Sequence, residues 1–339
     1  MQPPTDNQIQ HIINSVKIDN NKNCTLNELK KWCEDRSTIP EDEDQVFVGK
    51  FEYLALPKQE FRIFLTTKRL IKFAEKSEHV LSDATYKLTY ENFPIITGGT
   101  TDRNKHLHPI GIAITRHETE EDFGFFFSSI KETYERVYQK PINFTSLIAD
   151  NAAAIHNGFK RVFDLKLRVN CWAHVYRNIQ THMKSFSKLQ MTRILDDIKQ
   201  IQKIFDENLF PTAIKLFQEK WEKVTSSSIK SFLDYFKDQW CQEGHNGWFE
   251  GYAHGLPSTS NGLESINDKI KTAIDNKRFG LIPFLNECCE NILKEWTKDR
   301  SPTLTLNDPI TNEVKSVQNL NQKIFNDFPS IEKSDLVEA

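Results

Sequence analysis

The sequence predicts an α/β protein in which a mixed sheet of five strands is flanked by helices and followed by an all-helical insertion. Three observations predict it. Between residues 79 and 171, short β-branched apolar runs alternate with helical patterns. Residues 175–243 hold one proline, Pro211, no glycine, and apolar stripes at helical spacing. A Gly-rich stretch from Gly244 to Gly262 then leads into two amphipathic helices.

The first 25 residues are polar and Asn-rich and are expected to be flexible, as is the tail 299–339. Residues 26–75 read as a small N-terminal α/β region. It has a helix from Leu26 to Cys33, an acidic solvated loop at Glu41–Asp44, a strand from Val46 to Leu54 and a helix from Thr67 to Glu75. The main domain is expected over 76–298. Strands at 79–88, 93–99 and 107–116 form three consecutive antiparallel runs, with the polar segment Thr100–His106 joining the last two. Phe123, Phe126, Phe127, Ile130 and Tyr134 mark a helix over Glu120–Tyr138, which Lys140-Pro141 ends. A strand at Phe144–Ala149, a helix at Ala152–Phe163 and a fifth strand at Leu165–Cys171 complete the sheet. The helical insertion is expected at 175–257. Leu263, Ile266, Ile270 and Ile274 stripe a helix from Asn261, and the last helix covers Leu281–Trp296.

At 339 residues, with 38% hydrophobic and 27% charged residues, the chain can bury a sizeable core. No apolar run reaches the length of a membrane span, so no membrane partner is expected, and the start MQPPTDNQIQ lacks the pattern of a secretory signal. Six scattered cysteines form no CxxC pair and suit a reducing compartment. The net charge of −3 gives no global attraction to nucleic acid, so any such affinity must come from local patches or metal ions.

Asp83 sits inside the run HVLSDATYKL, and Asp150 ends FTSLIAD; carboxylates at buried strands are costly unless paired, hydrogen-bonded or neutralised by a cation. Each has a plainer reading, Asp150 as a helix N-cap and Asp83 as a residue on the solvent face of its strand. Glu264 lies in the first turn of the helix that starts at Asn261, where a capping box would also explain it. If the three converge, they make an oxygen-only site suited to Mg²⁺ or Mn²⁺, able to hold two metals for phosphoryl transfer.

Four segments in order carry a resemblance: SDATYKL at 82–88, LIADNAAAIHNGFKRVF at 147–163, CWAHVYRNI at 171–179 and TSNGLESIN at 259–267. Together they resemble the motifs of Mutator-like (MULE) transposase domains, of the ribonuclease H-like DDE superfamily, over roughly residues 66–298. The resemblance implies a ribonuclease H-like fold and DNA end cleavage followed by strand transfer. It further implies a catalytic, metal-holding triad of Asp83, Asp150 and Glu264, a two-metal Mg²⁺ or Mn²⁺ site, and DNA as the partner of a homo-oligomer in the nucleus. A domesticated DNA-binding or regulatory relative without catalysis is the alternative, and a repair nuclease a third reading.

Cys171 and His174 match the family's C-x-x-H signature and are expected to be auxiliary, because no second Cys/His pair stands nearby to complete a zinc site. Basic residues cluster over 160–203, and Lys160, Arg161, Arg168 and Arg177 are candidates for the DNA backbone, with Trp248 as a base-stacking candidate. Lys-rich solvated faces and aromatic core packing are the plainer explanations.

Overall fold

The computed structural model describes residues 24–54, 60–102, 104–224 and 226–298. The expectations for the chain ends, 1–25 and 299–339, fall almost wholly outside these residues. Among the described residues seven strands form one sheet, in the order β1-β2-β5-β4-β3-β6-β7. The strands are β1 Phe47–Leu54, β2 Glu60–Thr66, β3 His79–Thr85, β4 Ile95–Thr101, β5 Leu107–Thr115, β6 Ser146–Ala149 and β7 Leu167–Asn170.

The count of five is therefore corrected to seven. The run at 46–54 is a strand as read, but it belongs to this sheet, and β2 had not been recognised. β2 carries six consecutive buried residues after Glu60, so it lacks the alternation of a half-buried strand, and Arg62 breaks its apolar run. That arginine is tolerated because its Nε donates to Asp122 Oδ1 at 2.7 Å, sixty residues away.

The three strands expected to run antiparallel do so: β3 pairs β4, and β4 pairs β5. β5 in turn pairs β2, and β2 pairs β1, all antiparallel. Contacts divide the chain into two compact units. Among the described residues, one comprises those up to 147 together with 152–165 and 261–298; the other comprises 148–151 and 166–260.

In the first unit, helices cover both faces of the strands. Helix α3 (Glu120–Tyr138) lies on one face, where Phe126 meets Phe64 edge-on and closes over Gly98, at which a Cβ would fall 2.6 Å from its ring. Thr119 and Asp122 cap its start reciprocally. Helix α4 (Ala153–Lys160) crosses α3 at Gly158, where any side chain would strike Phe123.

The opposite face is an aliphatic core of Ile63, Leu65, Ile95, Ile112 and Ile114. Among the helices that contribute to it are α1 (Leu26–Glu34), α9 (Asn261–Ala273), α10 (Leu281–Glu287) and α11 (Leu293–Thr297), and Leu70 of the short helix after β2 joins them. Between α10 and α11 the chain makes a π-helical turn, Cys288–Ile292. Helix α2 (Lys68–Lys72) follows β2 and is capped by Thr67.

The second unit is helical through α5 (Trp172–His182), α6 (Lys188–Gln202), α7 (Phe210–Glu222) and α8 (Ser227–Trp240), as the glycine-free stretch predicts. Its core differs in kind, with Phe217, Trp221, Phe236, Trp240, Trp248 and Phe249 packed together beside Ile194, Ile198 and Ile201.

Candidate functional site

Asp83 and Glu264 belong to the first unit and Asp150 to the second. All three side chains are partly exposed. Asp83 is not a solvent-face residue. It stands directly opposite Thr97 in the β3–β4 ladder, so the two share a face, and Thr97 in turn faces Ile112 of the aliphatic core. Helix α9 lies on this face and supplies Asn267, whose Nδ2 donates to Asp83 Oδ2 at 2.9 Å. Thr97 Oγ1 donates to Asn267 Oδ1 at 3.1 Å. Glu264 is three residues earlier on α9, one turn away along the same side of the helix.

Sequence reasoning missed Asn267. It reads as an ordinary polar helix residue, yet it is 4% exposed and sits in a row with Leu263, Ile266 and Ile270. A buried amide inside an apolar stripe was the signal available.

Asp150 ends β6, but it does not cap the following helix. The N-cap of α4 is Ala152, and no side chain caps it. The plainer reading of Asp150 loses its basis. Within the second unit Arg168 on β7 interacts electrostatically with Asp150. Burial pulls the Arg168 guanidinium below its ordinary value, while Asp150 and Tyr252 act in the opposite direction. Arg168 Nε and Nη2 are buried without a hydrogen-bond acceptor. These two nitrogens form the side-on fork that grips carboxylate or phosphate in a bidentate manner.

Cys171, fully buried, is the N-cap of α5. Its Sγ accepts from both the backbone N–H and the hydroxyl of Ser260, each at 3.1 Å, and its own N–H donates to Ala149 O at 2.8 Å. Burial raises the thiol, but hydrogen bonds from His174 and Ser260 outweigh it and hold it below the usual cysteine value. His174 lies in the first turn of α5.

The basic candidates fare unequally. Lys160 and Arg177 are exposed. Arg161 is exposed too, but its Nη1 pairs with Glu120 at 3.0 Å and Glu121 at 3.3 Å, which offsets its charge. Base stacking by Trp248 is corrected. The residue is 0% exposed, its ring stacks on Trp172 at 5.6 Å, and its Nε1 donates to Trp240 O at 2.7 Å. An indole with its face and its donor both engaged has nothing to offer a base.

Among the described residues no three His, Cys, Asp or Glu side chains stand together as a ready metal-binding group. The donor chemistry nevertheless fits a hard divalent cation. Asp83, Asp150 and Glu264 offer oxygen alone, and one oxygen of Asp83 accepts from the neutral amide of Asn267.

The fold and site define a class, an α/β domain with carboxylates on its strands and on a helix packed against them, followed by a helical region. Residues 79–178 match the MULE transposase domain, which suggests a transposase-related function. Asp83, Asp150, Cys171 and His174 lie within the matched segment, and Glu264 lies beyond it. A comparison with curated proteins gives no match. No helix among the described residues is long and apolar enough to cross a membrane.

Proposed function

We propose that the protein is a Mutator-like DNA transposase of ribonuclease H-like fold that cleaves DNA at element ends and joins the new 3′-hydroxyl to a target. The observation that carries this reading is the placing of Asp83, inside the matched segment, against the helix that bears Glu264. Asp83, Asp150 and Glu264 would hold Mg²⁺ or Mn²⁺, which when bound supplies charge stabilisation and activates the attacking oxygen of an in-line phosphoryl transfer.

The protein's own side chains supply the positioning. Asn267 holds one oxygen of Asp83. Arg168 offers a cationic fork to a phosphate oxygen near Asp150, and exposed Lys160 and Arg177 track the backbone. Cys171 and His174 are auxiliary. They order the backbone on either side, because Cys171 holds Ala149, just before Asp150, and Ser260, just before α9. The working form is a homo-oligomer on DNA in the nucleus.

A second reading is a domesticated DNA-binding regulator without catalysis, which the match to the MULE transposase domain suggests equally. A strand-transfer assay separates the two. Labelled fragments of the inverted repeats flanking the gene, incubated with the full chain and Mn²⁺, should give joined products that Asp150→Asn abolishes. DNA binding with no cleavage by the wild type would favour the regulator.

A further inference from the structure

Asn267 makes two hydrogen bonds of opposite sense, and together they fix its amide. An ionised carboxylate accepts only, so the group facing Asp83 must be the NH₂. The Thr97 hydroxyl donates to the other end, and the two partners specify the same orientation. Thr97 Oγ1 also lies 3.4 Å from Asp83 O, so the same hydroxyl sits against the backbone of the residue that the amide holds. Thr97 is 1% and Asn267 4% exposed, so the amide and the hydroxyl that fixes it are shielded from bulk water.

The terminal torsion of an aspartate is broad, and only an external partner selects one orientation of its two oxygens. We propose that Asn267, locked by Thr97, is a positioning residue that orients the Asp83 carboxylate toward a divalent cation and ties it to the helix carrying Glu264. The proposal rests on the metal-site reading above. It predicts that the amide controls cation affinity rather than folding, as outer partners of metal ligands do.

The test is calorimetric titration of the full chain with Mn²⁺, with thermal unfolding measured in parallel. Asn267→Leu keeps the volume and removes both bonds. It should weaken Mn²⁺ binding by about 10- to 100-fold while the protein unfolds near the wild-type temperature. Thr97→Val should weaken it less, and Thr97→Ser, which retains the hydroxyl, should restore wild-type affinity. Wild-type affinity in Asn267→Leu, with affinity lost in Asp83→Asn, overturns the role of Asn267 and leaves the metal site standing. Unchanged binding in Asp83→Asn, Asp150→Asn and Glu264→Gln alike overturns the metal reading and this proposal together. If Asn267→Leu does not fold, Thr97→Val decides alone, and an unchanged affinity there rejects the proposal.

Discussion

In the sheet unit the buried Arg62 and His79 are met by hydrogen-bonding partners, whereas in the helical unit Arg168 keeps two guanidinium nitrogens buried without an acceptor. Arg62 meets Asp122 at 2.7 Å with both side chains nearly inaccessible. His79 has both ring nitrogens filled. Thr101 N–H donates to Nε2 at 3.1 Å, so Nδ1 carries the proton and gives it to Ser77 Oγ at 2.8 Å. The hydroxyls of Ser82, Thr100 and Thr133 in this unit are buried without a hydrogen-bond partner. In the helical unit Arg168 buries two nitrogens of a cation without an acceptor, and the side-chain carbonyl oxygens of Asn151 and Asn170 are likewise buried without a donor. Stability alone does not account for an open guanidinium.

The contrast can be broken at its strongest point first. Trp248→Ala should destabilise the protein by about 3–5 kcal/mol in urea unfolding, as loss of a buried indole does. If DNA affinity fell instead and stability were kept, the burial of Trp248 would not describe the working protein.

The next effect depends on pH. Burial holds the His79 imidazole down at about 4 against an ordinary 6.5. The unfolded chain therefore binds the proton first, and stability is full above pH 6.5 and falls as pH drops toward 4. The contribution is roughly 3 kcal/mol over that window. His79→Gln should flatten this part of the pH–stability curve, and an unaltered slope would contradict a neutral, buried ring.

The smallest effect carries the sharpest sign. Arg168→Met should leave stability within about 1 kcal/mol of wild type or raise it, because two of the guanidinium nitrogens it removes are buried without an acceptor. A loss of several kcal/mol on thermal unfolding would show that Arg168 is paired and would erase the difference between the units.

Most of the elements were legible in the sequence because they obey one period. The stripe of Phe123, Phe126, Phe127 and Ile130 fixes α3, and the absence of glycine over 175–243 fixes the helical region. β2 was not legible, since what permits Arg62 inside it is Asp122, a partner that no local window contains. The site divides the same way. Motif order located Asp83 and Asp150 within the segment that matches the MULE domain. The face on which Asp83 lies depends on its register with Thr97, and the role of Asn267 depends on a hydrogen bond spanning 184 residues. Trp248 misled because a tryptophan between glycines looks available, while its environment is assembled from Trp172, Phe210, Phe236 and Trp240.

The widened turn at Cys288–Ile292 explains why the last helical segment can follow a changing surface without a break. Before it, Leu281, Phe284, Leu285 and Cys288 are inward. A regular continuation would next bring in Asn291 and Glu295, both of which are in water. One added residue advances the phase by about 100°, so Ile292, Leu293, Trp296 and Thr297 take those places. A single extra peptide unit thus acts as a gear tooth, keeping an asparagine and a glutamate wet while an indole closes the end of the aliphatic layer.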